Sequence, residues 1–356
     1  MAKNLVICCD GTDCEFGDNN SNVVRLYSML ENSGQQMTYY HPGLGTMGSQ
    51  LASSELGRWW TRMLGLAFGY GLMDHVTSAY IFLMNHYKDL EDHEDVPDNV
   101  YLFGFSRGAY TVRALAALLH MFGLIRLGNE CLIPYALEMF RARIRNGQPF
   151  EVAQHFKSTF SRECKPHFLG VLDTVSSVGW IYDPLKLPYT AHNPDIAVVR
   201  HAVSIDERRC AFRQNLWQPQ PPQDSKQVWF AGYHTDLGGG YAGLPNITLQ
   251  WLLREATHAG LRLTPQAQAS IPSISQPNDC CAEAHNSMTI YWLPLEIIPR
   301  RHWDTRLTPP RYKWHIPLCE PRYIAEGSVL HYSVTQRKEK SGYNPPNLPK
   351  TYAVEY

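Results

Sequence analysis

The sequence predicts an α/β fold, a mostly parallel central sheet flanked by helices, and three features carry that expectation. Short apolar runs of strand type alternate with helical stretches; the four strongest runs each stop at small or polar residues; one of them passes through a glycine-bearing turn directly into an amphipathic helix. The runs are Leu5 to Cys9, ending in Asp10-Gly11-Thr12, and Asn99 to Phe103, ending in Gly104-Phe105-Ser106. They continue with His167 to Leu172, ending in Asp173-Thr174, and Gln227 to Ala231, ending in Gly232-Tyr233-His234. Parallel strands covered on both faces read as unbroken apolar runs, and functional residues collect at their carboxyl ends.

The clearest helices between the runs are Asp74 to Tyr87 and Arg107 to Phe122. In the second, Val112, Leu115, Ala116 and Leu119 recur at i, i+3, i+4 and i+7, one apolar stripe to lay on a sheet, and Gly123 or Gly128 ends it. Ile196 to Ile205 reads as a further packed element. Thr264 to Ser287, rich in Pro, Ser, Gln and Asn, reads as a surface excursion, and the Pro-rich tail from Lys338 to Pro349 as extended over the body. No repeat or low-complexity tract divides the chain. Residues 1–356 are therefore read as one domain, with a lid or insertion around 47–73 and an excursion around 264–287.

A chain of 356 residues with 44% hydrophobic content can bury a large core. Its 32 Lys and Arg against 33 Asp and Glu leave no positive excess to neutralise a phosphate backbone, which excludes nucleic acid as a general partner. The longest uncharged apolar stretches, Met63 to Met73 and Ala114 to Ile125, fall well short of the ~20 residues a bilayer requires, and Leu5 to Cys9 is too short for a signal peptide. The expectation is a cytoplasmic protein with no transmembrane span and at most peripheral membrane contact; the oligomeric state stays open. Nine cysteines, an odd count with adjacent pairs at Cys8/Cys9 and Cys280/Cys281 and no C-x-x-C, point to reduced thiols. Neither a metal nor a cofactor is expected.

Gly104-Phe105-Ser106-Arg107-Gly108 matches G-x-S-x-G, in which small flanking residues permit a strained strand-to-helix turn that presents a serine hydroxyl for attack. A strand-like run before it and an amphipathic helix after it supply the context those mechanics require. A serine hydroxyl is a weak nucleophile until a base takes its proton, and the base needs an acid to fix its tautomer. In α/β-hydrolases the chain order is Ser, acid, His. His234, at the end of an apolar run and just before Gly238-Gly239-Gly240, is the best placed base, with His201 second. For the acid, Asp173 and Asp206 are both open; Asp236 reads as a brace for the glycine turn. The oxyanion of acyl transfer needs two N–H donors. Arg107, the residue after the nucleophile, supplies one, and Gly11 or Thr12 the other. The same Asp10-Gly11-Thr12 loop is not that of an aspartyl-phosphate phosphatase, because the nucleophilic Asp of D-x-D-G-T falls on Cys8.

Six stretches stand together in this chain: Leu5-Val-Ile-Cys-Cys-Asp-Gly-Thr12, His41-Pro-Gly-Leu-Gly-Thr46, Tyr101-Leu-Phe-Gly-Phe-Ser-Arg-Gly-Ala-Tyr-Thr-Val-Arg113, Asp173-Thr-Val-Ser-Ser-Val-Gly179, Ile205-Asp-Glu-Arg-Arg209 and Phe230-Ala-Gly-Tyr-His-Thr-Asp-Leu-Gly-Gly-Gly-Tyr241. In this order they resemble the domain-of-unknown-function α/β-hydrolases related to the phospholipase effectors of type VI secretion. The resemblance runs from residue 5 to about the Pro-rich tail. It implies an α/β-hydrolase-like fold and a Ser-Asp-His triad, which falls on Ser106, Asp173 and His234 and so favours Asp173 over Asp206.

On the substrate side, Trp59 and Trp60, in an aromatic and apolar stretch with Arg58 and Arg62, suit a lid or an acyl-binding wall. Trp180 and Tyr182 follow the Asp173 loop, while Asp10 and Phe105 flank the elbow; all six are expected to line the cleft. The function expected is a serine hydrolase cleaving carboxylic esters, a lipase, phospholipase or esterase acting on a small-molecule or lipid ester. Two alternatives stand beside it. One is an acyltransferase or a lactone- or thioester-processing enzyme on the same triad, and the other is a non-catalytic binding protein on this scaffold.

Overall fold

Eight strands form the central sheet: β1 (Asn4–Cys9), β2 (Gln36–His41), β3 (Asn99–Phe105), β4 (Pro166–Leu172), β5 (Val198–Ser204), β6 (Asp224–Phe230), β7 (Val329–His331) and β8 (Ala353–Glu355). The structure, a computed structural model, describes residues 2–12, 14, 16–43, 70–89, 96–146, 150–175, 179–180, 183–184, 187–304 and 311–356. Across the sheet the order is β8-β7-β6-β5-β4-β3-β1-β2, and every neighbouring pair is parallel. The expected mostly parallel sheet is thus parallel throughout.

Alternation along the strands explains the layers. Leu5, Ile7 and Cys9 of β1, with Val100 and Leu102 of β3, face one core, and Val6 and Cys8, with Tyr101 and Phe103, face the other. The first core is closed by helices whose stripes it buries: α2 (Tyr70–His86) through Val76, Ala79 and Leu83, α3 (Arg107–Phe122) through Val112, Leu115 and Leu119, and α4 (Ile133–Asn146) and α5 (Phe150–Phe160) through Phe140 and Phe156. The second is closed by α1 (Asn22–Met29), α6 (His234–Gly238), α7 (Leu244–His258) and α8 (Pro265–Ile274). A smaller cluster around Trp229, Ile324 and Leu330 seats β7 against β6.

Three expectations shift in detail. The helix expected from Asp74 begins at Tyr70, and Gly123, at φ 69°, ends α3. Within the supposed excursion lies α8: Thr264 caps it by accepting from the Ala267 N–H, Pro265 takes its first turn, and Ala267 and Ile271 turn into the core. The tail is helical over Tyr332–Ser341 before it extends to β8. The expected lid lies outside the described residues apart from Tyr70 to Met73, and no helix among the described residues is long and apolar enough to cross a membrane.

This topology creates a crevice. The chain leaves β1 for β2 on one side and resumes at β3 on the other, so the loops after β1 and β3 diverge at their carboxyl ends, where open parallel sheets bind ligands. Asp10 to Thr12 and Ser106 occupy those two loops.

Candidate active site

Ser106 links β3 to α3 with φ 57° and ψ −118°, a left-handed conformation that L-residues adopt only when their surroundings enforce it. The enforcement comes from close backbone packing. A Cβ on Gly104 would lie 2.6 Å from the Ala109 N, and one on Gly108 would lie 2.2 Å from the Cys9 carbonyl oxygen. Both glycines of the motif are therefore required by space, because the first turn of α3 is pressed onto the ends of β1 and β3. Gly108→Ala should cost about 3 kcal/mol, as overpacking against unyielding backbone does, and a urea denaturation midpoint measures it.

His234 opens α6 after a turn held by two carboxylates. Asp206 accepts from the Gly232 N–H at 2.7 Å, and Asp236 accepts from the Tyr233 N–H at 2.7 Å. Asp206 is therefore spent on the turn and on the Tyr343 hydroxyl at 2.8 Å, while Asp236 holds the turn before His234, not the glycines after it, and also accepts from the Tyr241 hydroxyl at 2.6 Å. The imidazole stacks on Phe105 with ring centroids 4.7 Å apart and meets the edge of Phe212 at 4.9 Å. Held so, its Nε2 lies 2.8 Å from Ser106 Oγ and its Nδ1 2.6 Å from Asp173 Oδ2. All three residues are buried.

Asp173, at the end of β4, receives more than the histidine. The Ser204 N–H donates to Oδ1 at 2.9 Å and the Ser204 hydroxyl to Oδ2 at 3.1 Å. Arg322 closes on it with two parallel bonds, Nη1 to Oδ1 at 2.6 Å and Nη2 to Oδ2 at 3.1 Å, and also donates to the carbonyls of Ser204 and Phe212. Burial opposes the charge on Asp173, but Arg322 and His234 outweigh it and hold the carboxyl well below its ordinary range. Burial is also the largest influence on His234 and lowers its proton affinity below that of a free imidazole; Asp173 pulls the other way, and Arg209 adds to the lowering. At neutral pH this is a neutral base beside an ionised acid, the protonation states an acid-base relay requires.

The runner-up histidine has other partners. His201 is fully buried, with Nδ1 2.9 Å from Gln227 Oε1 and Nε2 accepting from the Thr174 N–H at 3.4 Å, and burial pushes its pKa down to about 3. On the oxyanion side, Arg107 is the first residue of α3, where helix geometry leaves N–H groups without an intrahelical acceptor. The Gly11 N–H donates to Asp10 Oδ1 at 2.7 Å, whereas the buried Thr12 Oγ1 has no hydrogen-bond partner among the described residues.

Two expected cleft residues are committed elsewhere. The Asp10 carboxylate accepts from Ser21 Oγ at 2.5 Å and Tyr40 at 3.0 Å, so it shapes the loop instead of lining a cleft. Phe105, 6% exposed, is the platform under His234. Trp59, Trp60 and Tyr182 lie outside the described residues, and Trp180 is described only as backbone, in a two-residue strand paired with Asp183–Pro184. Among the described residues, no three His, Cys, Asp or Glu side chains gather as a metal-binding group.

Sequence reasoning missed Arg322, Ser204, Glu207 and Phe212. Glu207 accepts from the His234 N–H at 3.3 Å and pairs with Arg209 at 2.9 Å, whose guanidinium lies 3.7 Å from the centre of the Phe212 ring. The Ile205-Asp-Glu-Arg-Arg209 stretch was itself a signal for Glu207, but nothing in Glu320-Pro-Arg-Tyr323 marks Arg322.

Residues 3–255 match the model of the family described as T6SS, Phospholipase effector Tle1-like, catalytic domain. An uncharacterized protein of Saccharomyces cerevisiae is 38% identical over 238 residues, which are 62% of this chain and 33% of that protein; the chain spans about a third of the length of that curated relative. Among solved structures, an uncharacterized protein from Pseudomonas aeruginosa aligns with a TM-score of 0.48 at 18% identity, covering 76% of this chain and 48% of that one. The Tle1 effector bound to the VgrG spike from the Type 6 secretion system aligns with a TM-score of 0.36 at 17% identity, covering 68% and 52%.

Proposed function

Since the chain belongs to the family of Tle1-like phospholipase effector catalytic domains of type VI secretion, we propose that it is a serine hydrolase that cleaves a carboxylic ester of a lipid through an acyl-enzyme on Ser106. The observation that carries this reading is the unbroken chain of hydrogen bonds from Ser106 Oγ through His234 to Asp173.

In this mechanism Ser106 Oγ attacks the ester carbonyl carbon while its proton passes to His234 Nε2. Asp173 holds Nδ1–H and stabilises the imidazolium, which is worth about 10²–10⁴ in rate for a well-placed base. The developing oxyanion takes the N–H of Arg107 and that of Thr12, since the Gly11 N–H is engaged by Asp10. Collapse breaks the ester C–O bond, and the departing alcohol takes the proton from Nε2. Water then attacks the acyl-enzyme, gives a proton to His234, and the acid leaves as Ser106 recovers its hydrogen. The second half of the reaction reuses the same donors, so one preorganised site serves both transition states.

Residues 1–356 act in this proposal as one catalytic domain, because Arg322, far outside the matched stretch, touches the acid. A reducing, cytoplasmic setting rests on nine cysteines that are all free thiols.

Release of free fatty acid from phospholipid, compared with a water-soluble short-chain ester, tests the reading, with kcat/KM followed against pH. Neutral His234 is the active form, so activity falls as pH drops through its pKa. Burial places that pKa below the ordinary value of 6.5, and the acidic limb should have its midpoint below 6.5. A protein that releases no acid from any ester contradicts the proposal.

A further inference from the structure

We propose that Glu207 and Arg209 are positioning residues for the base: their buried ion pair pins the backbone at His234 and braces Phe212 against its ring. This inference rests on the reading of His234 as the base and adds to it the groups that keep the imidazole in line while its bond to Ser106 is broken and remade.

A histidine side chain turns about two bonds, and contacts at Nδ1 and Nε2 fix it only while both exist. Once Ser106 is acylated its oxygen has no hydrogen to give, so the bond to Nε2 at 2.8 Å is gone and the ring keeps Asp173 and its packing. That packing has to align it for water. Phe105 stacks on the ring at 4.7 Å, and Phe212 meets it at 4.9 Å with the planes 65° apart. Phe105 is buried at the end of β3, but Phe212 ends a single helical turn, Cys210–Phe212, and is only half-buried. Such a ring needs a support of its own.

Arg209 supplies it. Its guanidinium lies 3.7 Å from the centre of the Phe212 ring and 5.1 Å from that of Trp292, a flat cation against aromatic rings, which an ammonium does not copy. The guanidinium is itself fixed, with Nε donating to Glu207 Oε1 at 2.9 Å and Nη2 to Oε2 at 2.9 Å. Glu207 Oε1 also accepts from the Arg209 N–H at 2.8 Å and the Arg208 N–H at 3.1 Å, and Oε2 accepts from the His234 N–H at 3.3 Å. Both residues of the pair are buried. One carboxylate thus ties the loop after β5 to the first residue of α6, so that the brace and the base are held as one piece.

The pair also meets the ring with charge. Asp173 and Arg322 stand on the Nδ1 side, Ser106 on the Nε2 side, and His201 lies beyond Asp173 against the Thr174 N–H. Asp206 and Asp236 hold the turn before the ring, the first bonded to Tyr343 and the second to Tyr241 and His285. Burial and Asp173 act on His234 most strongly; Arg209 then disfavours the imidazolium and Glu207 favours it. His234 therefore stands between two buried ion pairs, and removing one charge of the second should move its protonation in the direction set by the sign of that charge.

The test follows kcat, KM and the acidic limb of kcat/KM on a soluble short-chain ester, with circular dichroism melting to verify folding. Arg209→Met should lower kcat about tenfold with KM near the parent's, because a slackened base is felt in the transition state, and should move the acidic limb to higher pH. Glu207→Gln keeps an oxygen for the His234 N–H but removes the anion and leaves Arg209 uncompensated, so the limb should move to lower pH. Arg209→Lys restores the charge without the flat guanidinium; the midpoint should return to the parent's, and kcat only in part. Each of the first two variants leaves a buried charge unpaired, so Glu207→Gln/Arg209→Met serves where one fails to fold, and it should show the parent's midpoint with the lowered kcat. Limbs that move in one direction in both single variants, a rise in KM alone, or folded variants with the parent's kcat and midpoint overturn the inference. Titration of the imidazole by NMR in a Ser106→Ala background, where adding His234→Ala identifies the signal, reads the same opposite shifts without turnover. A parent that hydrolyses no ester therefore contradicts the catalytic reading alone, and the titration still decides this one.

Discussion

Ser106→Ala should lower ester turnover by about five to six orders of magnitude while leaving the protein folded. In the proposed mechanism the hydroxyl is the atom that forms the covalent intermediate, and among the described residues it is the Ser106 hydroxyl that lies at hydrogen-bond distance from His234 Nε2. The variant keeps the Arg107 and Thr12 donors and the binding surface, so a residue of catalysis of about 10³–10⁴ over water should persist. Adding His234→Ala to it should change almost nothing, because members of one catalytic unit are not additive. Stability should move little, since the alanine side chain occupies the same turn. Steady-state kinetics on a soluble ester for the two single variants and the double variant check all three statements. Losses that multiply would mean that the two residues work separately.

Asp173→Asn should cost about 10⁴ in turnover and also destabilise the fold, for different reasons. Turnover falls because an amide cannot hold the Nδ1–H tautomer and stabilise an imidazolium as a carboxylate does. Stability falls because Arg322, 2% exposed, then keeps a buried charge with no counterion, a situation that costs about 3–5 kcal/mol. The two effects separate in the pair Asp173→Asn/Arg322→Met: replacing both partners should restore most of the stability and none of the turnover. Arg322→Met alone leaves the carboxylate without its cation. Asp173 then attracts the His234 proton more strongly, with Arg209 and Glu207 still facing the ring, and the acidic limb of kcat/KM should move to higher pH. The carboxylate's own contribution to stability has the opposite dependence. It is present above the unfolded value of about 3.9 and is lost as pH falls below it. An Arg322→Met profile that keeps its midpoint would leave Arg322 a purely structural residue.

The parts of this architecture that can be read from sequence are those where one residue type has one physical job. Gly104 and Gly108 are needed because backbone passes within 3 Å of where a Cβ would sit, and the G-x-S-x-G spacing states that need directly. Strands β1, β3 and β4 are buried almost throughout and stand out as runs, as does the Val-Trp-Phe end of β6. Edge strand β2, Gln-Met-Thr-Tyr-Tyr-His, is only partly buried, so it lacks a run, and β7 and β8 are three residues each. Helix α8 carried its own signs, Thr264 before Pro265 and Ala267 four residues from Ile271, which the Ser and Gln around them obscured. The residues alone leave Asp173 and Asp206 open, since both follow strands; the family resemblance favours Asp173, and the geometry commits Asp206 to the Gly232 turn and brings Asp173 to His234. Arg322 lies 149 residues from Asp173 in a stretch without periodicity, and only the folded chain brings them together.

Covalent labelling by a fluorophosphonate probe, read as intact protein mass, tests the central claim most directly, because it requires an activated serine and no knowledge of the substrate. The account predicts one adduct on Ser106 in the wild-type protein, none in Ser106→Ala, and greatly slowed labelling in Asp173→Asn. A folded wild-type protein that takes up no probe, or an adduct that persists in Ser106→Ala, would contradict it.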